Sequence, residues 1–327
     1  MLPRSARPHL RLASLSLLVL SPLSASADSW PLGSTAAAPA TLEQARAVLT
    51  ARDEFVQQLS PFDRAVRMQT DQPTTEAQFL RHMGAAARAW TPDELERLEA
   101  AIGAIDELLQ GWDLNWPEPI LLVKISGEVD GGAAYTRGAT IALPPQKLAL
   151  PDAAFERLLL HELFHVLSRH NPKLRDQLYA IVGFQPCGPV ELPPSMRERA
   201  ITNPDAPLRN WCAELTIDGR PVHVVPILFS ETDYDPQRDG TLFDYLVFRL
   251  LVVEEQGDRW APVLENGEPV LLDGRRTPAY FDLIGRNTQY IIHPEEVLAD
   301  NFVLLMQGEQ AVPTPRILAE MEKLLRK

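Results

Sequence analysis

Three residues of this chain, His161, Glu162 and His165, stand in the spacing His-Glu-x-x-His. On an α-helix, residues four apart lie about 40° apart around the axis and one turn apart along it, so a single metal ion can reach both imidazoles. Glu162 would lie beside them, where it can take a proton from water that the ion activates. The spacing therefore predicts one zinc ion (Zn2+) per chain and hydrolytic chemistry.

The segment around this motif has the pattern of a buried helix. Uncharged residues flank the motif at 158–160 and 166–167, and Pro151-Asp152 and Asn171-Pro172 supply a start and an end. An amphipathic helix that happens to carry two histidines is the alternative. Buried helices seldom hold two histidines and a glutamate without partners, so we favour a metal site on a helix over residues 152–169.

A third ligand must come from elsewhere in the chain, because catalytic zinc normally has three protein ligands and one open position. His170 would point about 140° away from His165 around the helix. Downstream, Glu296 and Asp300 are four apart and share a helix face. We predict that Glu296 binds the zinc ion and that Asp300 accepts the free ring N–H of a ligand histidine.

Two alternatives to this assignment remain at the second motif. Glu295 is the other possible ligand, although its fourth position holds Ala299 instead of an acid. Glu295 and Glu296 could also merely complement the dipole of the helix that begins at His293-Pro294.

The two motifs together resemble those of the gluzincin class of zinc metallopeptidases, the thermolysin-like arrangement of H-E-x-x-H plus a Glu in E-x-x-x-D on a second helix. The matching residues are His161-Glu162-Leu163-Phe164-His165 and Glu296-Val297-Leu298-Ala299-Asp300. The run at 290–296 also looks like the segment before the ligand in some small bacterial members. The inserted β-rich region matches no family in this way.

This resemblance implies an α+β fold with a zincin-like catalytic core, in which a mixed sheet precedes the motif helix. Its edge strand would bind the substrate backbone by β-augmentation. Ala133, Ala134 and Tyr135 are placed for that role, and an ordinary interior strand is the alternative.

The function that these residues predict is hydrolysis of a peptide or protein substrate, with Glu162 as the general base. A further donor must stabilise the oxyanion, and Tyr290, His293 and His223 are the candidates. Tyr290 could instead be a core residue, and His293 a helix cap. Two other functions stay open: a zinc hydrolase acting on a different amide, and an inactive zinc-binding or scaffold protein.

The elements that would position the site follow from the hydrophobic pattern. Residues 28–40 have the Ala, Ser, Pro and Gly content of a flexible leader, and residues 41–118 read as a helical region with starts at Thr41 and Thr91. Residues 119–327 would form the catalytic domain. Strands are predicted at 119–125 and 133–143, and an antiparallel β-meander is inserted at about 185–290. Asp218-Gly219 and Asn266-Gly267 mark hairpins in that insertion.

The first 27 residues have the pattern of a signal peptide. Three arginines precede an apolar run at 12–20, and Ala25-Ser26-Ala27 supplies a cleavage site. An uncleaved N-terminal anchor is the alternative. We expect an exported protein, periplasmic or secreted, with no membrane insertion of the mature chain.

The net charge limits which partners the protein is expected to bind. Without the first 27 residues the chain has 28 Lys and Arg against 44 Asp and Glu, a net charge of −16. Such a surface repels phosphate backbones and anionic lipids, so nucleic acid is not expected as a partner.

Cys187 and Cys212 are the only cysteines. In an oxidising compartment they predict one disulfide, worth about 3.5 kcal/mol by loop entropy; two unpaired buried thiols are the alternative.

Overall fold

The computed structural model of the protein describes residues 29–326, apart from 239 and 258. The predicted signal peptide, residues 1–27, lies outside the described residues. The described chain is α+β, with a mixed sheet, a separate antiparallel sheet and helices before, between and after them.

A mixed sheet forms from the first part of the chain. Its strands are β1 (Trp30–Leu32), β2 (Thr35–Pro39), β3 (Ala87–Arg88), β4 (Ile120–Ile125), β5 (Tyr135–Arg137) and β6 (Thr140–Leu143). Their order is β1-β2-β4-β6-β5, and β3 also pairs with β4. The strands β2, β4 and β6 run parallel, whereas β1, β3 and β5 are antiparallel to their neighbours.

Two sequence expectations about this sheet were wrong. Residues 28–40 are not a flexible leader, because β1 and β2 occupy 30–39, with Leu32 and Ala37 fully buried. β1 pairs with β2, but the other partner of β2 is β4, some 80 residues later, and local composition cannot reveal such pairing. Residues 133–143 are not one strand either. Gly138 has a φ of 62°, and a turn there folds the segment into the β5–β6 hairpin.

Helices make up the rest of the framework. They are α1 (Leu42–Leu49), α2 (Glu54–Gln58), α3 (Pro61–Arg67), α4 (Glu76–Ala85), α5 (Pro92–Leu109), α6 (Pro145–Leu148), α7 (Asp152–His170), α8 (Pro172–Ile181), α9 (Pro194–Arg197), α10 (Pro278–Ile284), α11 (Pro294–Met306) and α12 (Pro315–Leu325). Thr41 and Thr91 cap α1 and α5 with reciprocal side-chain hydrogen bonds, which confirms the predicted helix starts.

The antiparallel sheet forms the predicted insertion. Its strands are β7 (Phe184–Pro186), β8 (Trp211–Ile217), β9 (Arg220–Phe229), β10 (Val247–Gln256) and β11 (Arg259–Pro262), with β14 (Leu271–Leu272) on β10. A separate hairpin joins β12 (Leu264–Glu265) to β13 (Glu268–Pro269). The turns at Asp218-Gly219 and Asn266-Gly267 lie between paired strands, so both predicted hairpins are confirmed.

The helices α7 and α11, which carry the two sequence motifs, pack directly on each other. Phe164 on α7 and Phe302 on α11 meet with ring centroids 5.6 Å apart, and both are fully buried. The other side of α7 packs on α5, β5 and β6. Two buried helices are thus fixed against each other beside the edge strand of the mixed sheet. Within the described part of the chain, no helix has the length and apolar content needed to cross a membrane.

Candidate metal centre

The two motif helices bring one carboxylate and two imidazoles together. The rings of His161 and His165 lie 4.8 Å apart and nearly perpendicular. The Oε2 atom of Glu296 on α11 is 3.1 Å from His161 Nε2 and 3.6 Å from His165 Nε2. The three residues that the sequence selected as zinc ligands therefore converge across the α7–α11 interface.

Each imidazole is oriented by a second carboxylate. Asp300 Oδ1 lies 3.1 Å from His161 Nδ1, as the sequence predicted, and Glu295 Oε1 lies 3.0 Å from His165 Nδ1. Because an ionised carboxylate only accepts hydrogen bonds, it fixes the proton on Nδ1. When the rings are neutral, the lone pair of each Nε2 atom is available to a metal ion on the side where Glu296 lies.

Glu295 is therefore neither a ligand in this arrangement nor a mere dipole partner. Ser168 Oγ donates to its Oε2 at 2.8 Å, and the Tyr179 hydroxyl donates to the same atom at 2.5 Å. The sequence offered one signal for this role. Adjacent helical residues point about 100° apart, so neighbours of Glu296 can face a different histidine.

The donor set fits a zinc ion. Ligand atoms about 2.05 Å from a tetrahedral zinc ion lie about 3.3 Å from one another, close to the 3.1 and 3.6 Å found here. His165 Nε2 is fully buried and has no hydrogen-bond partner among the described residues. Buried polar atoms are nearly always paired, so this nitrogen calls for a ligand at that point.

Charges within the group are strongly coupled. Burial raises the pKa of Glu296, but the nearby imidazoles and a hydrogen bond from Asn203 outweigh it and hold that pKa at about 2. Burial lowers the pKa of His161, yet hydrogen bonds to Asp300 and Glu296 raise it overall to well above its ordinary value. In the metal-free protein, ionised Glu296 and protonated His161 therefore form an ion pair.

Glu162 is a buried carboxyl group close to His165. Its side chain is 3% exposed, and Thr136 Oγ1 on β5 donates to Oε2 at 2.8 Å. Burial raises the pKa of Glu162 to about 7. A carboxylate with a pKa near neutrality can both take and return a proton at physiological pH.

An open cleft of about 820 Å³ leads to these groups. Ala133 and Ala134 line it, as do His161, Glu162 and Glu296. The strand β5 that follows is the edge strand of the mixed sheet, so the alternative of an interior strand was wrong. Tyr135 differs from its two neighbours. It is 2% exposed and does not line the cleft, but it lines a second cavity beside the cleft, so its contact with substrate stays a prediction.

The three candidates for the oxyanion donor have different positions. Tyr290 lines the cleft and stacks on His161 at 6.0 Å, with 40% of its surface exposed. His293 does not line the cleft: its Nδ1 accepts the Glu295 N–H at 3.1 Å as the cap of α11, and burial lowers its pKa to about 4. The structure thus shows the helix-cap alternative for His293, and its catalytic role stays an untested prediction. His223 lies on β9 beside Trp260, also outside the cleft.

The loop at residues 202–206, for which the sequence predicted no role, lies against the candidate metal centre. We call these residues the covering segment. Asn203 Nδ2 donates to Glu296 Oε1, and Asp205 Oδ1 accepts the Thr136 N–H at 2.6 Å. Arg169 anchors the segment by donating to the backbone oxygens of Pro204 and Asp205. The proline-rich composition here indicated only a connection, and Asn-Pro-Asp was its single distinctive feature.

The two cysteines are neighbours but are not bonded. Cys187 follows β7, and Cys212 lies on the adjacent strand β8. A hydrogen bond between the thiols raises the pKa of Cys187 and lowers that of Cys212. The predicted disulfide stays a prediction for the oxidised protein.

Comparison of the chain with models of protein families, with curated proteins and with solved structures gave no match.

Proposed function

We propose that the protein is an exported zinc-dependent metallopeptidase with a gluzincin-like centre on a zincin-like core. The observation that carries the proposal is the arrangement of His161, His165 and Glu296. Their donor atoms lie within 4.8 Å of one another, and carboxylates orient both rings. An open cleft and a buried base accompany them, which an inert metal site has no need of.

A zinc ion held by these three residues would supply a Lewis acid that polarises the scissile carbonyl and makes water easier to deprotonate. Glu162 removes a proton from the attacking water as its oxygen bonds to the carbonyl carbon. When the carbon–nitrogen bond breaks, Glu162 delivers that proton to the leaving nitrogen. Thr136 holds one oxygen of Glu162 and leaves the other to do this work.

Tyr290 is the residue best placed to donate to the developing oxyanion. It lies beside His161 and is exposed to the cleft. Its hydroxyl stays protonated, because burial and the carboxylates around it raise its pKa well above the ordinary value. Such a group donates a hydrogen bond without losing its proton.

The test is the Glu162→Gln variant, with Glu156→Gln on the same helix but outside the cleft as a matched control. We expect about one zinc ion per chain in all three proteins. Hydrolysis of a peptide library should fall by about 10²–10⁴-fold only in Glu162→Gln, the usual contribution of a general base.

Other results would contradict the proposal in distinct ways. A wild-type protein that binds no zinc would remove its basis. Zinc binding with no cleavage of any peptide would favour a scaffold protein or an enzyme for a different amide.

A further inference from the structure

A second cavity opens beside the metal centre. It measures about 460 Å³ including its open mouth, and it shares Ala133, Ala134, Asp205 and Tyr290 with the cleft. We call it the side cavity. Its walls are apolar, formed by Ile201, Leu228, Leu242, Leu246 and Ile292.

The far end of the side cavity is closed by buried residues. Arg67 and Asp130 form an ion pair there, and each is less than 5% exposed. Arg67 also contacts Asp63 and donates to the Thr202 carbonyl, so its guanidinium is fully engaged. The cavity is thus a mostly apolar pocket that adjoins the cleft at Ala133, Ala134, Asp205 and Tyr290, and an apolar side chain can pack against its walls.

Asp205 stands where this pocket meets the cleft. A carboxylate oxygen of Asp205 lies within 4.8 Å of the ligand-capable atoms of Glu162 and His165. Its Oδ1 takes the Thr136 N–H, and Oδ2 makes no hydrogen bond within the described part of the chain. Fully buried His165 Nε2 is also without a partner among the described residues.

These distances suit a positively charged nitrogen next to the scissile carbonyl. In a peptide the α-nitrogen lies about 2.5 Å from the carbonyl carbon of its own residue. A carboxylate accepts from an ammonium group at about 2.8 Å. An acid that binds the α-ammonium must therefore lie within about 5 Å of the scissile carbonyl. Asp205 lies within 4.8 Å of Glu162, the proposed base, and of the candidate ligand His165, so it is close enough to where that carbonyl would bind.

The covering segment also limits how a substrate can lie. Asp205 occupies the Thr136 N–H of the edge strand, so a peptide cannot pair with β5 at that residue without displacing it. Lys147 and Arg157 line the cleft but not the side cavity. Cations on the cleft side fit the carboxyl end of a short peptide, and the acid by the pocket fits its amino end.

We propose that Asp205 and the side cavity bind the free amino terminus of a peptide whose first residue is large and apolar, which makes the enzyme an aminopeptidase. This inference rests on the proposed function and names its substrate class. Asp205 binds the α-ammonium group, and the first side chain enters the side cavity.

The experiment compares Phe-Ala-Ala with its N-acetylated form and with Gly-Ala-Ala on the zinc-loaded wild-type protein. We expect kcat/KM for Phe-Ala-Ala to exceed that for the acetylated peptide at least 100-fold and that for Gly-Ala-Ala at least tenfold. Burial raises the pKa of Asp205 to about 8 in the free protein, and a bound ammonium ion favours its ionised form. Asp205→Asn keeps an acceptor for the Thr136 N–H but cannot ionise to pair with that ion. The ratio of free to acetylated peptide should fall at least tenfold in this variant, and Asp218→Asn, in the distant β8–β9 turn, should keep the wild-type ratio.

A binding measurement separates this inference from the proposed function. Calorimetry on the zinc-loaded Glu162→Gln protein should show phenylalaninamide binding at least tenfold more tightly than N-acetylphenylalaninamide, with the difference lost in Glu162→Gln/Asp205→Asn. Equal binding of the two amides, or cleavage within acetylated peptides by the wild type, overturns the aminopeptidase inference and leaves the peptidase standing. Absence of zinc and of all hydrolysis would overturn the proposed function itself.

Discussion

Two carboxylates that are not ligands, Glu295 and Asp300, determine which nitrogen of each histidine faces Glu296. Outer partners of this kind typically change metal affinity by about 10–100-fold when they are altered. The sequence identified Asp300 because it shares a helix face with Glu296. It missed the role of Glu295, because that role depends on Ser168 and Tyr179 from other turns of the fold.

Glu295→Gln should therefore weaken zinc binding by about 10–100-fold without removing a ligand. The neutral amide no longer holds the proton on His165 Nδ1, and its NH2 group can turn towards the ring. Competition with a chromophoric chelator measures the affinity, with Glu309→Gln beyond the end of α11 as the control. Unchanged affinity would show that His165 needs no orienting partner.

Protonation of His161 sets how zinc binding depends on pH. The pKa of His161 is raised above its ordinary 6.5, so the folded metal-free protein holds this proton at neutral pH. A ligand histidine must be neutral, and the pKa of His165 is raised as well, so zinc uptake near pH 7 should release between one and two protons. Calorimetry in buffers of different ionisation enthalpy counts the released protons, and no buffer dependence would contradict the assignment.

The same shift affects the stability of the metal-free protein. A histidine with a raised folded pKa contributes stability that is complete below the unfolded pKa and disappears as pH rises through the folded value. The metal-free protein should therefore lose stability as pH rises above about 6.5, and added zinc should restore it most at high pH. Urea unfolding with and without a chelator tests this order.

At the level of elements, the α11 helix begins at His293, whose ring accepts the Glu295 N–H. Burial keeps that ring neutral, as an acceptor must be. His293→Ala should cost about 1 kcal/mol in unfolding free energy, and His293→Asn should recover most of it, since Asn is a good N-cap. Both variants should keep kcat within a few-fold of wild type. A loss of 100-fold or more in both variants would place His293 among the catalytic residues.

Local signals explain which elements could be predicted. The caps at Thr41 and Thr91 and the turn at Asp218-Gly219 act within a few residues, and the sequence located all three. The strands β1 and β2 depend on a partner far along the chain, and the covering segment depends on tertiary contacts. Neither has a periodic pattern, so no reading of local composition could have placed them.

On the scale of the whole molecule, the N-terminal helices hold the covering segment in place. Asp63 on α3 accepts the Thr202 N–H at 2.8 Å, and Arg67 donates to the Thr202 carbonyl at the same distance. The candidate metal centre on α7 and α11 is therefore linked through the covering segment to α3. The sequence predicted a helical region here but not its contact with the covering segment.

Arg67→Met should lower the free energy of unfolding. The change leaves Asp63 and Asp130 buried without their cation, which typically costs about 3–5 kcal/mol. Urea unfolding measures the loss, and Arg52→Met, which breaks an exposed pair with Glu76, should cost less than about 1 kcal/mol. Equal effects of the two variants would mean that the buried network does not support the fold.

Thr136 connects the base and the acid of the proposed site through a single residue: its hydroxyl holds Glu162, and its amide holds Asp205. Side chains alternate between the two faces of a strand, so a slip of β5 by one position along β6 would put Tyr135 or Arg137 in that place. Neither has a short hydroxyl that could reach Glu162. The alignment of a three-residue hairpin strand thus sets the spacing between proton transfer and amine recognition, and one misaligned hairpin would abolish both together.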